Sequence, residues 1–170
     1  MRLKRIISGG QTGADQGGLE AAAFLGIPTG GKMPKGFKTE KGYFPDLADK
    51  YDVEELVSGE YAPRTRYNVL DSDATVIFGD LSSPGSKTTR QMCLDSKRPC
   101  LVVEEFDDFY LRLFNDFLNM YEVTTLNVAG NRESKNLGIQ QKVYDFLITA
   151  LQDDTLKEEH ARTLGTTQTA

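Results

Sequence analysis

The stretch RIISGGQTGADQGGLEAAAFLG, residues 5–26, joins a short β-branched run to an alanine-rich run that is typical of a helix. The junction between the two runs contains three glycines: Gly9, Gly10 and Gly13. Glycines at such a junction indicate either a tight turn or a bound anion, which free backbone N–H groups and the helix dipole stabilise. We predict the second, with side-chain donors from Gln11 and Thr12. The motif matches neither G-x-G-x-x-G nor a P-loop, so it predicts neither a dinucleotide site nor an ATPase.

Short apolar runs recur along the chain and predict the strands of a parallel sheet. They lie at residues 5–8, 26–29, 74–78, 100–103 and 125–128. Helical patterns separate them, at residues 15–25, 64–70, 87–96, 106–121 and 138–151. This alternation predicts an α/β fold, doubly wound, with a mainly parallel sheet and helices on both faces. A strand order of 2-1-3-4-5 fits the pattern, and it would place the first and third strands together at the switch point, where such sheets bind ligands.

Length and charge limit the class of protein. The 170 residues predict one domain over residues 1–151 and a polar C-terminal tail over residues 152–170. A net charge of −5 disfavours nucleic acids and membrane surfaces as partners, because both need a basic face. No apolar run is long enough to cross a bilayer and no signal peptide is evident, so we expect a cytoplasmic protein. Cys93 and Cys100 lack a zinc-motif spacing, and the single histidine, His160, lies in the tail, which disfavours histidine-based nucleophilic catalysis.

Two further loops have residue types that bind anions. Residues 80–89 combine small residues, hydroxyls and a lysine at a helix start, and residues 127–134 follow the last predicted strand. The predicted ligand-binding residues, for a phosphate or another anion, are Gly9, Gly10, Gln11, Thr12, Gly13, Lys35, Arg64, Gly85, Ser86, Thr88, Gly130 and Arg132. Asp15 and Glu133 lie near the same edge, either as cation ligands or as helix caps. We predict no metal site.

Two segments depart from the regular pattern. Residues 30–62 lack clear periodicity, and long irregular segments in compact domains are usually functional or mobile. Residues 106–121 carry more large apolar side chains than one buried helix face needs, including Phe109, Tyr110, Phe114 and Phe117. Surplus apolar surface on an outer helix predicts a homo-oligomer, most simply a dimer.

Five motifs resemble those of the molybdenum carrier family and occur in the same order. They are SGGQTGADQGGLEAA, GGKMPKG, RTRYNVLDSDATVIFG, SPGSKTT and NVAGNRES, and the resemblance spans residues 5–150. That family belongs to a Rossmann-like group that includes the LOG-type phosphoribohydrolases. The resemblance implies a doubly wound fold that holds a phosphorylated or nucleotide-like ligand. In the carrier family this ligand would be molybdenum cofactor, a pterin with a terminal phosphate and a dithiolene-bound molybdenum, carried as cargo.

The related LOG-type enzymes have an arginine on the helix before the third strand and a P-G-G-x-G-T-x-x-E loop after it. Arg64 matches the spacing of that arginine. In the loop, Pro84, Gly85 and Thr89 match, whereas Met92 stands where the catalytic glutamate belongs. Cleavage of an N-glycosidic bond needs a nearby carboxylate, which methionine does not supply. The resemblance therefore implies that ligand binding is kept and that this chemistry is lost.

The function expected from these observations is a cytoplasmic binding protein for a small phosphorylated ligand, in the manner of a molybdenum cofactor carrier. Two alternatives stay open. One is an enzyme that hydrolyses the N-glycosidic bond of a nucleotide-derived substrate and uses Asp15 or Glu133 in place of the missing glutamate. The other is a domain that senses a nucleotide, which differs from the carrier only in its ligand.

Overall fold

The computed structural model describes the backbone of residues 3–165 and the side chains of residues 3–152. The strands are β1 (Arg5–Ser8), β2 (Thr29–Met33), β3 (Lys38–Thr39), β4 (Gly42–Tyr43), β5 (Val53–Glu55), β6 (Ala74–Phe78), β7 (Cys100–Val103) and β8 (Thr125–Gly130). The helices are α1 (Ala14–Phe24), α2 (Asp46–Tyr51), α3 (Tyr61–Leu70), α4 (Pro84–Asp95), α5 (Asp108–Met120) and α6 (Ile139–Gly165). In the predicted tail, the side chains from residue 153 onward, His160 among them, lie outside the described residues, as do residues 166–170 entirely.

Six strands form one parallel sheet in the order β5-β2-β1-β8-β6-β7, and β3 and β4 form a small antiparallel hairpin. The predicted α/β class and parallel sheet are confirmed, but the predicted strand order 2-1-3-4-5 is wrong. Strand β8 lies between β1 and β6: Arg5 pairs with Thr125, and Ala74 pairs with Leu126. The first and third predicted strands are therefore not neighbours.

Local contacts explain the central place of β8. Four of its six residues are buried, whereas three of the four residues of β7 are half-buried, as at a sheet edge. Asp73 Oδ2 accepts hydrogen bonds from Thr124 N at 2.9 Å and from Thr125 N at 2.8 Å, which fastens the start of β8 beside β6. When the strands are counted from β6 instead of β1, the order becomes 2-1-3-4-5-6. The doubly wound pattern is thus present with its starting strand shifted along the chain.

The core lies on both sides of the sheet. Helices α1, α5 and α6 pack on one face, and α3 and α4 pack on the other. Val76 and Leu126 of the sheet are fully buried against the first group, together with Phe114 and Leu147. This burial is the main source of stability for such a sheet.

The remaining differences from the predicted elements concern their bounds. The irregular segment 30–62 contains most of β2, the β3–β4 hairpin, α2 and β5. Helix α6 continues to Gly165, beyond the predicted helix end at residue 151. No helix within residues 3–165 combines the length and apolar character needed to span a membrane.

Candidate functional site

The carboxyl ends of β6 and β8, the loop after β1 and the start of α3 enclose a cavity of about 680 Å³. Strands β6 and β8 are neighbours that lead into helices on opposite faces of the sheet, so the cavity lies at the switch point. Six of the twelve predicted binding residues line it: Gln11, Arg64, Gly85, Thr88, Gly130 and Arg132. The other six do not: Gly9, Gly10, Thr12, Gly13, Lys35 and Ser86.

The glycine loop after β1 packs against its own chain. A Cβ atom at Gly9 would collide with the guanidinium of Arg64, and one at Gly13 would collide with the backbone of residues 131–133. Gly10 and Gly13 have φ angles of 67° and 87°, which glycine adopts without strain. Contacts within the protein therefore explain these glycines, and close approach of an anion to their backbone stays a prediction.

The remaining predicted residues outside the cavity have other roles. The hydroxyl of Thr12 donates a hydrogen bond to the carboxylate of Glu40. Ser86 is buried, and its Oγ accepts a hydrogen bond from Asn131 Nδ2 at 3.2 Å. Lys35 is exposed between β2 and the hairpin, away from the cavity wall.

A buried ion pair forms one wall of the cavity. Arg64 Nη1 lies 3.0 Å from Asp15 Oδ2, and their side chains are 12% and 5% exposed. Burial raises the pKa of the Asp15 carboxyl above its ordinary value, although the charge of Arg64 and the backbone N–H of Gln11 act in the opposite direction. Loss of one partner would leave the other charge buried and unpaired, so both side chains also support the fold.

Two buried donors in the cavity-lining side chains have no acceptor. Gln11 Oε1 accepts hydrogen bonds from the backbone N–H groups of Thr12 at 3.0 Å and Glu40 at 2.9 Å, which fixes the orientation of the amide. Its Nε2 atom then has no hydrogen-bond partner among the described residues, and the same holds for Arg64 Nε. Buried donors are nearly always paired, because an unpaired one loses its hydration without compensation. Both side chains line the cavity, so an acceptor atom of a ligand bound there is a candidate partner for these two donors.

Basic side chains with free donors complete the wall. The guanidinium carbon of Arg132 lies 4.8 Å from the centre of the Tyr61 ring, and its guanidinium has no hydrogen bond or ion pair to any described side chain. Lys135 is exposed at the same edge. Asp15 and Asp80 are the acidic side chains of the lining, so three basic groups face two acidic ones. The cavity is more positive than the acidic chain as a whole.

Sequence reasoning missed two residues that organise the site. Tyr61 lies three residues before Arg64 on α3 and so shares its face, a spacing that would have found it. Asn131 is buried; its Nδ2 donates to the carbonyl of Asp80 at 3.1 Å and its Oδ1 accepts from the N–H of Asp80 at 3.1 Å. It thereby joins the loop after β8 to the loop after β6. Its place between two predicted binding residues was the available signal.

The two candidate catalytic carboxylates, Asp15 and Glu133, lie in different places. Glu133 accepts hydrogen bonds from Gly138 N at 2.6 Å and Gln140 N at 3.1 Å at the start of α6, so it is a helix cap outside the cavity. Met92 lies outside the cavity wall as well. Asp15 alone of the proposed catalytic acids lines the cavity. Among the side chains of residues 3–152, no group of three or more histidines, cysteines or acids is placed to hold a metal ion.

Comparisons with known proteins agree with this architecture. The family described as "Circularly permutated YpsA SLOG family" matches residues 6–151. The crystal structure of the "Putative molybdenum carrier protein" from Syntrophus aciditrophicus SB, at 1.45 Å resolution, is 36% identical and has a TM-score of 0.82. The match covers 88% of this chain and 95% of that chain, which confirms the predicted resemblance. No curated protein matches the chain. The strand order of the sheet is itself permuted, because counting the strands from β6 instead of β1 restores the doubly wound order, and the chain belongs to the circularly permuted YpsA SLOG family.

Proposed function

We propose that the protein is a cytoplasmic binding protein that holds a small ligand by a phosphate or similar oxyanion in the switch-point cavity. The observation that carries the proposal is the pair of buried, unpartnered donors, Gln11 Nε2 and Arg64 Nε, in side chains of the cavity wall. Arg132 adds a guanidinium whose donors have no side-chain partner within residues 3–152. Guanidinium groups bind phosphate through two parallel hydrogen bonds, which makes them suited to this role.

Molybdenum cofactor is the cargo that we propose first. The cavity volume of about 680 Å³ lies within the range of small-molecule sites, roughly 300–1,000 Å³. The cofactor's terminal phosphate would pair with Arg64 and Arg132, and its pterin would occupy the remaining space. Its molybdenum is bound by the pterin's own sulfurs, so the protein needs no metal-ligand cluster. The name of the crystallised relative, a molybdenum carrier, supports this assignment.

The second candidate is an enzyme that acts on a nucleotide-derived substrate. The position and pKa of Asp15 favour it. Its carboxyl lines the cavity, and burial raises its pKa, as in acids that donate a proton during glycosidic cleavage. Incubation with nucleoside monophosphates separates the two functions. Release of a free base that Asp15→Asn abolishes would establish the enzyme, whereas binding without release supports the carrier or a nucleotide-sensing domain.

Calorimetric titrations with AMP that compare wild type with Arg132→Gln test the proposed site. A charge-assisted hydrogen bond is worth about 1.5–3 kcal/mol, so the variant should bind AMP about tenfold or more weakly. Its thermal stability should change little, because among the side chains of residues 3–152 Arg132 has no hydrogen-bonded partner and loses only its contact with the Tyr61 ring. Arg66→Gln, an exposed arginine on the same helix as Arg64, is the matched control and should bind AMP like wild type.

Equal dissociation constants of AMP for wild type, Arg132→Gln and Arg66→Gln would show that Arg132 does not bind the ligand. Native mass spectrometry of protein purified without denaturation identifies the cargo. A retained mass that corresponds to a phosphorylated pterin supports the molybdenum cofactor, and a retained nucleotide supports the sensing domain.

A further inference from the structure

Three cationic side chains surround the ring of Tyr61. Arg132 Cζ lies 4.8 Å from the ring centre, and Arg64 Cζ and Lys38 Nζ each lie 5.7 Å from it. The three cations come from three separate parts of the chain: the loop after β8, helix α3 and strand β3. A single half-buried aromatic ring at the start of α3 is therefore their common contact.

The protein neutralises only part of this positive charge. Arg64 pairs with Asp15, but neither Lys38 nor Arg132 has an ion pair among the described residues. The charges of Glu40 and Asp15 act on Arg132 from a distance, but neither forms an ion pair with it, and the oxygens of Glu40 accept hydrogen bonds from Thr12 and Ser134. Like charges at such separations repel one another in a partly buried site. A ligand with negative charge relieves this repulsion.

The ring holds the cations in a way that a carboxylate would not. A carboxylate pairs with the in-plane N–H donors of a guanidinium and cancels its charge. An aromatic face attracts the cation electrostatically but leaves those donors free. Tyr61 therefore fixes the place of Arg132 without using the groups that would bind a phosphate.

Building on the proposed function, we propose that Tyr61 is the positioning residue of the site and that the cations around it select a ligand with at least two negative charges. This class contains phosphate monoesters, whose second ionisation has a pKa of about 6, and diphosphates. It excludes phosphate diesters and simple carboxylates, which carry a single charge. The ligand group that binds here is thus a terminal phosphate or a diphosphate.

The test compares AMP with its 5′-phosphate methyl ester, which has the same base and sugar but one negative charge. In calorimetric titrations at pH 7.5, wild type should bind AMP at least tenfold more tightly than the ester. Tyr61→Leu should weaken AMP binding at least fivefold and reduce the preference over the ester. Tyr61→Phe keeps the ring and should restore both, which a purely structural role of the hydroxyl would not allow. Tyr67→Leu, an exposed tyrosine on the same helix, is the control and should change neither.

A second variant keeps the test independent of the folding of Tyr61→Leu. Lys38 does not line the cavity, so Lys38→Gln removes one cation without altering the wall, and it should also reduce the preference for AMP. If wild type binds AMP but the Tyr61 and Lys38 variants keep the same affinity and preference, the inference about Tyr61 is overturned and the proposed binding function stands. If wild type binds neither AMP nor inorganic pyrophosphate, both are overturned.

Discussion

Asp15 lies in the cavity wall, where its Oδ2 accepts hydrogen bonds from Arg64 Nη1 at 3.0 Å and from the N–H of Gln11 at 3.2 Å. Burial still raises the pKa of this carboxyl above 3.8, because the loss of hydration outweighs the nearby arginine. The folded protein therefore keeps the proton of Asp15 to a higher pH than the unfolded chain does. At the scale of the residue, the site contains an acid whose ionisation costs folding free energy.

We predict that this cost appears as a pH-dependent stability. Above 3.8 and up to the raised pKa, the folded state binds more protons at Asp15 than the unfolded state, so the free energy of unfolding falls as pH rises. Asp15→Asn removes this titration, and the contributions of the other acidic groups cancel when the Tm of wild type is compared with that of the variant. The Tm of wild type relative to Asp15→Asn should therefore fall as pH rises above 3.8. A relative Tm that rises over this range in thermal unfolding scans would mean that Arg64 lowers the pKa instead.

Residue types alone pointed to Gln11, Arg64 and Arg132, which line the cavity, because amide and guanidinium donors beside glycine loops are typical of anion sites. They did not identify Tyr61, because its role depends on three cations that are distant in sequence. The sequence did not distinguish a glycine that close chain packing requires from a glycine that a bound ligand would require, because the residue type is the same in both cases. Gly13 against the loop after β8 is the clear case.

At the scale of the element, the β3–β4 hairpin is held beside the site by Glu40, whose backbone N–H donates a hydrogen bond to Gln11 Oε1 at 2.9 Å and whose carboxylate bonds two loops. The Glu40 carboxylate, in the turn of the hairpin, accepts hydrogen bonds from Thr12 Oγ1 and from the hydroxyl and N–H of Ser134. These hydrogen bonds hold the pKa of Glu40 below its usual value, although burial alone would raise it. The hairpin thereby brings Lys38 to Tyr61. Its strands have two residues each, too short for any periodicity to reveal them in the sequence.

Glu40→Ala should loosen the hairpin without unfolding the sheet. Loss of the carboxylate frees the turn from the loop after β8 and leaves the hydrogen bond between the N–H of residue 40 and Gln11 as its tie to the loop after β1, so amide hydrogens of residues 38–43 should exchange faster with solvent. Hydrogen-exchange mass spectrometry measures the effect, and exchange in β1 and β8 should not change. Glu54→Ala removes an exposed ion pair with Lys32 and is the control. Unchanged exchange in residues 38–43 would show that the hairpin is held by other contacts.

At the scale of the whole molecule, the sequence was sufficient for the fold class but not for the strand order. Each strand and helix has its own local pattern, and the alternation of the two defines the class. The order depends on β8 pairing with β1, residues 120 positions apart, and on contacts such as those of Asp73 with Thr124. A single sequence does not record such pairings. Because the strand order is permuted, β8 and not β1 lies beside β6, and the loops after β6 and β8 are therefore the neighbours at the switch point.

Self-association stays a prediction, and it now depends on other side chains of α5 than the sequence indicated. Phe114 and Phe117, which the sequence indicated as surplus, are buried in the core, whereas Phe109 is 59% exposed and Met120 is 74% exposed on α5. Apolar side chains on this outward face should pair with a second copy. Light scattering at micromolar concentration should return the mass of a dimer, and Phe109→Ser should shift it towards the monomer. A monomer mass for wild type would contradict the prediction.

We propose that the switch-point cavity binds a phosphate through Arg64 and Arg132, and a crystal structure of the protein with AMP measures this directly. We expect phosphate oxygens within about 2.7–3.2 Å of both guanidinium groups, and an acceptor for Gln11 Nε2, which has none among the described residues. A saturated crystal with the cavity empty, or with the phosphate bound away from both arginines, would contradict it.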